Sequence, residues 1–160
     1  MTNPIRPTDD DARELARTLM RDARFCAIAT LDDSGAPMTA RIAFGQAEDS
    51  SPVSLISQLS HHTQALLKDP RCSLLVGEPG DKGDPLTHPR LTLQAQARMI
   101  ARDDPEFDAL QNGWLLSHPK SRLYIGFADF LFARFQISHA FLNGGFGKAF
   151  NLTAGDLGPN

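Results

Sequence analysis

The feature of this chain that most constrains its fold is the run RLTLQAQARMIAR at positions 90–102, in which polar and apolar residues alternate from Arg90 to Met99. Successive side chains of a β-strand point to opposite faces, so this alternation predicts a strand with one buried face. Other stretches have strand character, namely 25–31, 36–44, 53–59, 71–78 and 130–137. Because strands outnumber helices and neighbouring strands are close in sequence, we predict a mainly β, α+β protein. Its antiparallel sheet is expected to close into a small barrel with helices outside.

Three segments have the composition and end residues of helices. Thr8 is placed to cap the first, whose opening turn is acidic. Asp104 and Pro105 occupy the cap and first helical positions of the last. The predicted helices cover residues 8–23, 61–68 and 103–119.

Glycine and proline mark the predicted connections. The turn DDSG at 32–35 joins two strands, with Gly35 able to adopt a positive φ angle. GGFG at 144–147 is predicted to allow a sharp reversal of the chain, and the tail TAGDLGPN is predicted to be irregular. With no repeat or linker, we expect a single domain over residues 1–160 with its core at about 10–152.

Composition narrows the class of protein. The 160 residues are 41% hydrophobic and 22% charged with a net charge of -3, which is typical of a globular protein and argues against a general nucleic-acid or anionic-membrane binder. No apolar run approaches the roughly 18 residues of a membrane span. Cys26 and Cys72 lie in apolar runs without CxxC spacing, so we expect buried, reduced thiols and a cytoplasmic protein.

The stretch SQLSHHT at 57–63 places three hydroxyls and two imidazoles where a predicted strand passes into a predicted helix. Convergent hydroxyls and N–H groups at a helix start bind phosphate, usually with a cation nearby. Arg41 lies on the neighbouring predicted strand, on the face opposite its core positions, so its guanidinium can reach the same corner. Two interpretations stay open, a phosphate site and an ordinary helix cap beside surface histidines.

No other constellation predicts chemistry as directly. The histidines lack the spacing of a metal site, and no nucleophile is accompanied by a base and an acidic partner, so we predict no metal site and leave the catalytic residues unknown. His118 is expected to cap the preceding helix. His139 is interpreted as a partly exposed residue at a strand end, with haem ligation as its alternative.

Three runs carry a family resemblance: ATLDDSGAPMTARIAF, VSLISQLSHHTQALLKDPRCSLLV and RLTLQAQARMIARDD. They resemble the pyridoxamine 5'-phosphate oxidase-like FMN-binding split β-barrels, in which a strand, a turn and a second strand lead to a third strand that ends in a phosphate loop. The later HPKS, ADF and NGGFGKA motifs are similar to the haem-utilisation (HugZ-like) branch of that family. The resemblance covers about residues 10–152.

This resemblance implies a homodimer of split barrels with two FMN molecules at the subunit interface. FMN would carry electron or hydride chemistry on a small-molecule substrate, which makes a flavin-dependent oxidoreductase the first functional expectation. The matching positions are Arg41, Ile42 and Ala43 along the flavin; Ser57, Ser60, His62 and Thr63 at its phosphate; Gln94, Gln96 and Arg98 near the flavin or the dimer partner; and Trp114, Lys120 and Ser121 as second-subunit contacts.

One departure from the family pattern opens an alternative. Members with pyridoxamine phosphate oxidase activity have an Arg-Lys pair where this chain has His61 and His62, so we do not expect that activity itself. Neutral imidazoles bind phosphate less strongly than cations do. The alternative is a non-catalytic dimer that holds haem, a deazaflavin or another small molecule, and a ligand-free structural or regulatory dimer is the third possibility.

Overall fold

The computed structural model describes residues 3–158. Its helices are α1 (Asp10–Asp22), α2 (His61–Lys68), α3 (Phe107–Ser117) and α4 (Ala154–Leu157). Its strands are β1 (Ile5–Arg6), β2 (Phe25–Leu31), β3 (Pro37–Ala43), β4 (Gly45–Gln46), β5 (Pro52–Ser57), β6 (Arg71–Val76), β7 (Arg90–Ile100), β8 (Phe130–Asn143) and β9 (Ala149–Leu152). None of the helices in the described part of the chain is long and apolar enough to cross a membrane.

The described strands form one curled sheet in the order β1-β9-β8-β7-β6-β2-β3, and β5 pairs with both β4 and β8. The predicted split β-barrel is confirmed, but the predicted closure is wrong because β3 and β5 form no ladder. After β3 the chain turns back as the β4–β5 hairpin, and the hydroxyl of Ser54 donates to the carbonyl of Ala43 at 2.6 Å across the gap. The sheet also contains one parallel pair, β1 with β9.

Two helix starts differ from the prediction. The carboxylate of Asp9 caps α1 by accepting from the N–H of Ala12 at 2.8 Å, while Thr8 donates instead to the carbonyl of Asn151. The other case is α3, which begins at Phe107 and not just after the predicted cap Asp104. The carboxylate of Asp104 instead closes a separate turn by accepting from the N–H of Glu106 at 2.9 Å.

The described part of the tail forms a short helix, whereas an irregular segment was predicted. Thr153 and Asp156 form a capping box at α4, and Asp156 accepts from Arg13 of α1 at 2.7 Å. Since this contact joins opposite ends of the chain, the local sequence does not predict it.

Two hydrophobic clusters lie on opposite sides of the curled sheet. Inside, side chains such as Ile28, Leu93 and Phe135 pack with α1. Outside, α3 packs against β5, β7 and β8, where Phe132 contacts Trp114 with ring centroids 5.7 Å apart. Strand β5 is therefore buried on both faces, which explains why its sequence does not alternate.

The turn at Gly77 offers a test of the fold. Gly77 has a φ of +103°, and an added Cβ would lie 2.7 Å from the carbonyl oxygen of Pro89. Gly83 has a φ of +79° but open space around it. We expect Gly77→Ala to lower the free energy of unfolding by about 2 kcal/mol more than Gly83→Ala, since only the former adds a clash to backbone strain. Urea denaturation measures both, and equal losses would contradict this packing.

Candidate cofactor site

A cleft of about 270 Å³ opens between β3, β5, the start of α2 and the segment that leads into β8. We call it the Arg41 pocket; its lining is Arg41, Ile42, Ala43, Leu55, Ile56, Ser57, Ser60, His62, Tyr124 and Phe130. Six of the residues chosen from the sequence thus surround one cavity, and Thr63 is buried just behind them on α2. The pocket lies where β3 and β5 approach each other without a ladder.

Arg41 supplies the positive charge of this pocket. Its side chain is exposed, and its guanidinium carbon lies 5.6 Å from the ring centroid of Phe25. Among the described residues no carboxylate pairs with it, whereas Arg71, Arg98 and Arg134 all have acidic partners. The charge of Arg41 is therefore available to an anionic ligand.

The hydroxyl of Ser57 is already engaged. It donates to the carboxylate of Asp129 at 2.5 Å and accepts from the N–H of Leu59 at 3.1 Å. The backbone N–H of Gln58 donates to the carbonyl of Asp129 at 2.8 Å, so this contact is fixed by both main chain and side chain. Ser57 consequently has no proton left to donate to a ligand.

The start of α2 keeps its donors. Ser60 occupies the cap position, but its side chain makes no cap hydrogen bond to the helix. The hydroxyl of Thr63 is buried and has no partner among the described residues. Because the first N–H groups of a helix have no intrahelical acceptor, this corner can offer hydrogen bonds to an acid group.

His62 and His61 face different surroundings despite being adjacent. His62 is half-buried in the Arg41 pocket, and the loss of hydration on burial lowers the pKa of its imidazole, with a smaller contribution from His61. His61 is exposed and lines a separate cleft with Asp33 and Lys68. At neutral pH the imidazole of His62 is therefore uncharged, a state that suits hydrogen bonding or metal ligation.

Aromatic and aliphatic side chains form the other side of the pocket. The rings of Tyr124 and Phe130 lie 5.1 Å apart, and Phe127 lies 6.5 Å from Phe130. Leu59 and Phe127, which do not belong to the lining, stand at the surface with 81% and 58% of their areas exposed. An apolar wall beside a cationic corner fits a flat ring that carries peripheral acid groups.

The three polar residues predicted on β7 are not brought to this pocket. Gln96 and Arg98 line a larger groove of about 720 Å³ on the outer face of β7 and β8. There Glu106 bridges Arg98 at 2.7 Å and Arg134 at 3.0 Å. Gln94 is exposed opposite His139 on β8, and His139 likewise lies outside the Arg41 pocket.

Trp114 and Ser121 are buried inside the chain, so neither side chain offers a surface to a second subunit. The indole N–H of Trp114 donates to the hydroxyl of Ser121 at 3.0 Å, and its ring stacks on His118 at 3.9 Å. The cap role predicted for His118 is confirmed, because its backbone N–H donates to the carbonyl of Trp114 at the end of α3. Lys120 is exposed nearby.

Sequence reasoning missed Asp129 as the partner of the lining residue Ser57. Tyr124 and Phe130 belong to a segment rich in aromatic residues, 124–135, whose composition marks no single residue as part of a site. The distance of 72 residues between Ser57 and Asp129 leaves no local pattern that would join them.

Comparison with known proteins places this architecture in a class. The family model described as "CREG, beta-barrel" matches residues 7–156. The chain therefore belongs to the CREG β-barrel family.

Two relatives of this chain have names that refer to haem, as the resemblance to the haem-utilisation branch led us to expect. The chain is 34% identical over 103 residues to the non-canonical heme oxygenase HOZ, chloroplastic, of Arabidopsis thaliana, covering 64% of this chain and 30% of that protein. The heme binding protein of Mycobacterium smegmatis superimposes with a TM-score of 0.83 at 27% identity, covering 96% of this chain and 61% of that one. The chain thus spans about a third and about six tenths of these two relatives.

A second structure shows the fold shared with the pyridoxine phosphate oxidase family. A Clostridium acetobutylicum protein related to general stress protein 26, of that family, superimposes with a TM-score of 0.69 at 12% identity, covering 94% of this chain and 99% of that one. The resemblance inferred from the sequence motifs is confirmed by this fold and by the family match.

The burial of His62 has a consequence for pH dependence. We expect its NMR titration midpoint to lie below the ordinary value of 6.5. The unfolded chain then takes up the proton more readily than the folded one, so the free energy of unfolding falls as the pH drops through 6.5. Burial lowers the pKa of His118 as well, so His62→Gln should reduce this pH dependence without abolishing it. A His62 midpoint at or above 6.5 would contradict the assigned environment.

Proposed function

We propose that this chain binds a planar, anionic cofactor in the Arg41 pocket, and that the cofactor is haem. The observation that carries the proposal is one cavity that combines a guanidinium with no acidic partner in the described chain, a neutral imidazole and an aromatic wall. Haem is a flat apolar ring with carboxylates at its edge, so each of these parts has a counterpart in the ligand. The names of the Arabidopsis and Mycobacterium relatives, which refer to haem, support this choice.

The residues present suggest how haem would be held. Arg41 and the hydroxyl of Ser60 would pair with a carboxylate of the ligand, and Tyr124 and Phe130 would pack along its ring. His62 is the candidate iron ligand because its imidazole is neutral and reaches the cavity. When bound, haem supplies an iron centre for redox or oxygen chemistry, and the chain supplies orientation and charge.

FMN is the second candidate, and the start of α2 favours it. The hydroxyl of Thr63, which has no partner among the described residues, and the side chain of Ser60, which makes no cap hydrogen bond, lie where the family resemblance implies a phosphate loop. With FMN the chain would be an oxidoreductase acting on a small molecule. A cytoplasmic location, inferred from the two free cysteines, stays a prediction for either cofactor.

We also propose that the chain works as a homodimer through the outer face of its sheet. Cross-strand neighbours form one row from Arg41 through Ala27, Leu75 and Thr92 to Phe141. Leu75 and Phe141 are 45% and 41% exposed on this face, and no described helix covers them. A second copy packed on the row would bury these side chains and would form one side of the Arg41 pocket.

Titration with haem tests the ligand and its anchor. We expect a Soret band on binding, and Arg41→Ala should weaken binding at least tenfold, because it removes a charge-assisted hydrogen bond. Arg71→Ala is the matched control, since Arg71 is already paired with Asp69 at 2.6 Å. His62→Ala should change the spectrum of bound haem, and His61→Ala should not. No Soret band, or an unchanged dissociation constant in Arg41→Ala, would contradict the assignment.

Sedimentation analysis tests the dimer surface. We expect the native chain to sediment as a dimer and Leu75→Lys to sediment as a monomer, because an added charge on the row opposes burial. Leu86→Lys is the control, since Leu86 is 58% exposed on a loop away from the row. A monomeric native chain, or equal behaviour of the two variants, would contradict the proposal.

A further inference from the structure

Asp129 lies beside the Arg41 pocket, in contact with its lining residue Ser57, and ligand binding alone does not explain this placement. Its carboxylate accepts a hydrogen bond from the hydroxyl of Ser57 at 2.5 Å, at the corner where the family resemblance implies a phosphate loop. Its carbonyl accepts from Gln58 at 2.8 Å, and Ser57 pairs with Phe130 in the sheet, so the chain on both sides holds it there. A negative side chain is thus built into a corner that a phosphate ligand would approach.

We propose that Asp129 is a specificity residue that makes this pocket select ligands with a carboxylate over ligands with a phosphate. The inference rests on the proposed function of the pocket as a cofactor site. At neutral pH a phosphate monoester carries close to two negative charges and three acceptor oxygens. It therefore needs several donors and more than one positive charge.

The start of α2 can offer donors, but the corner supplies less positive charge than a phosphate dianion needs. Arg41 contributes one positive charge, while burial keeps His62 neutral. The one proton of the Ser57 hydroxyl is committed to Asp129 and cannot also be donated to a ligand. Asp129 adds a like charge, which opposes a dianion more than a monoanion. A carboxylate is matched by Arg41 alone, and the hydroxyl of Ser60 remains available to it.

FMN and riboflavin provide the test because they differ only by the phosphate. The ratio of their dissociation constants, measured by quenching of flavin fluorescence, reports what the phosphate contributes to binding. In the native protein we expect a ratio close to one. Asp129→Ala frees the Ser57 proton and removes the charge, so FMN should gain at least tenfold over riboflavin. A purely structural role for Asp129 would change both affinities together.

Three further variants separate the causes. Asp129→Asn removes the charge but keeps an oxygen that accepts from Ser57, so its gain should be smaller than that of Asp129→Ala. The double variant Ser57→Ala/Asp129→Ala loses the Ser57 hydroxyl as well as the charge. Its gain in affinity for FMN over riboflavin should therefore be about that of Asp129→Asn. Asp108→Asn makes the same change of net charge on an exposed part of α3, and its ratio should equal the native one.

Two outcomes would overturn the proposal. One is a native protein that already binds FMN at least tenfold more tightly than riboflavin. The other is a ratio that neither Asp129 variant raises, including the case in which no protein binds either flavin measurably. If Asp129→Ala does not fold, as judged by circular dichroism, the nearly isosteric Asp129→Asn decides. Haem titration of the native chain is independent of these measurements, so a failure of the proposed function is seen separately.

Discussion

The candidate site depends on the gap between β3 and β5. These strands are held next to each other by the bond from the Ser54 hydroxyl to the Ala43 carbonyl, at 2.6 Å, but they form no ladder. The sheet therefore curls into a barrel that stays open along one seam. Arg41 comes from one side of the seam and Ser57 from the other, and α2 begins at the same place.

The charge of the pocket follows from which side chains are already paired. Arg41 has no acidic partner among the described residues, whereas the neighbouring groove on β7 and β8 has carboxylates that engage its arginines. His62 is kept neutral by burial, and Ser57 is engaged by Asp129. The corner thus offers about one unit of positive charge, which limits the charge of the ligand it can hold. The apolar wall of Tyr124 and Phe130 favours a ligand that is mostly a flat ring.

The parts of the fold that the sequence predicts well are those with a local cause. Strand β7 has one face in the core, so its alternation is clear, and β2, α2 and the Gly35 turn follow from local residues. Half of the site was also predictable, because SQLSHHT marks a strand–helix junction and Arg41 lies on the adjacent strand. The family motifs strengthened that prediction.

The rest depends on contacts between distant parts of the chain. Asp129 reaches Ser57 across 72 residues, and α4 is stabilised by Arg13 across 143 residues. The family resemblance implied that Trp114 and Ser121 contact a second subunit, but the packing of α3 on the sheet buries both side chains. For Gln96 and Arg98 the alternation predicts the outer face of β7, whereas the cavity they line is determined by where α3 and the β4–β5 turn lie.

The central claim is that the seam beside Arg41 holds the acid group of a flat cofactor. A structure from crystals grown with excess haem tests this claim most directly. We predict haem along Tyr124 and Phe130, with one carboxylate within hydrogen-bond distance of the Arg41 guanidinium. Haem bound elsewhere on the chain, or an Arg41 pocket filled by side chains or water in that crystal, would contradict it.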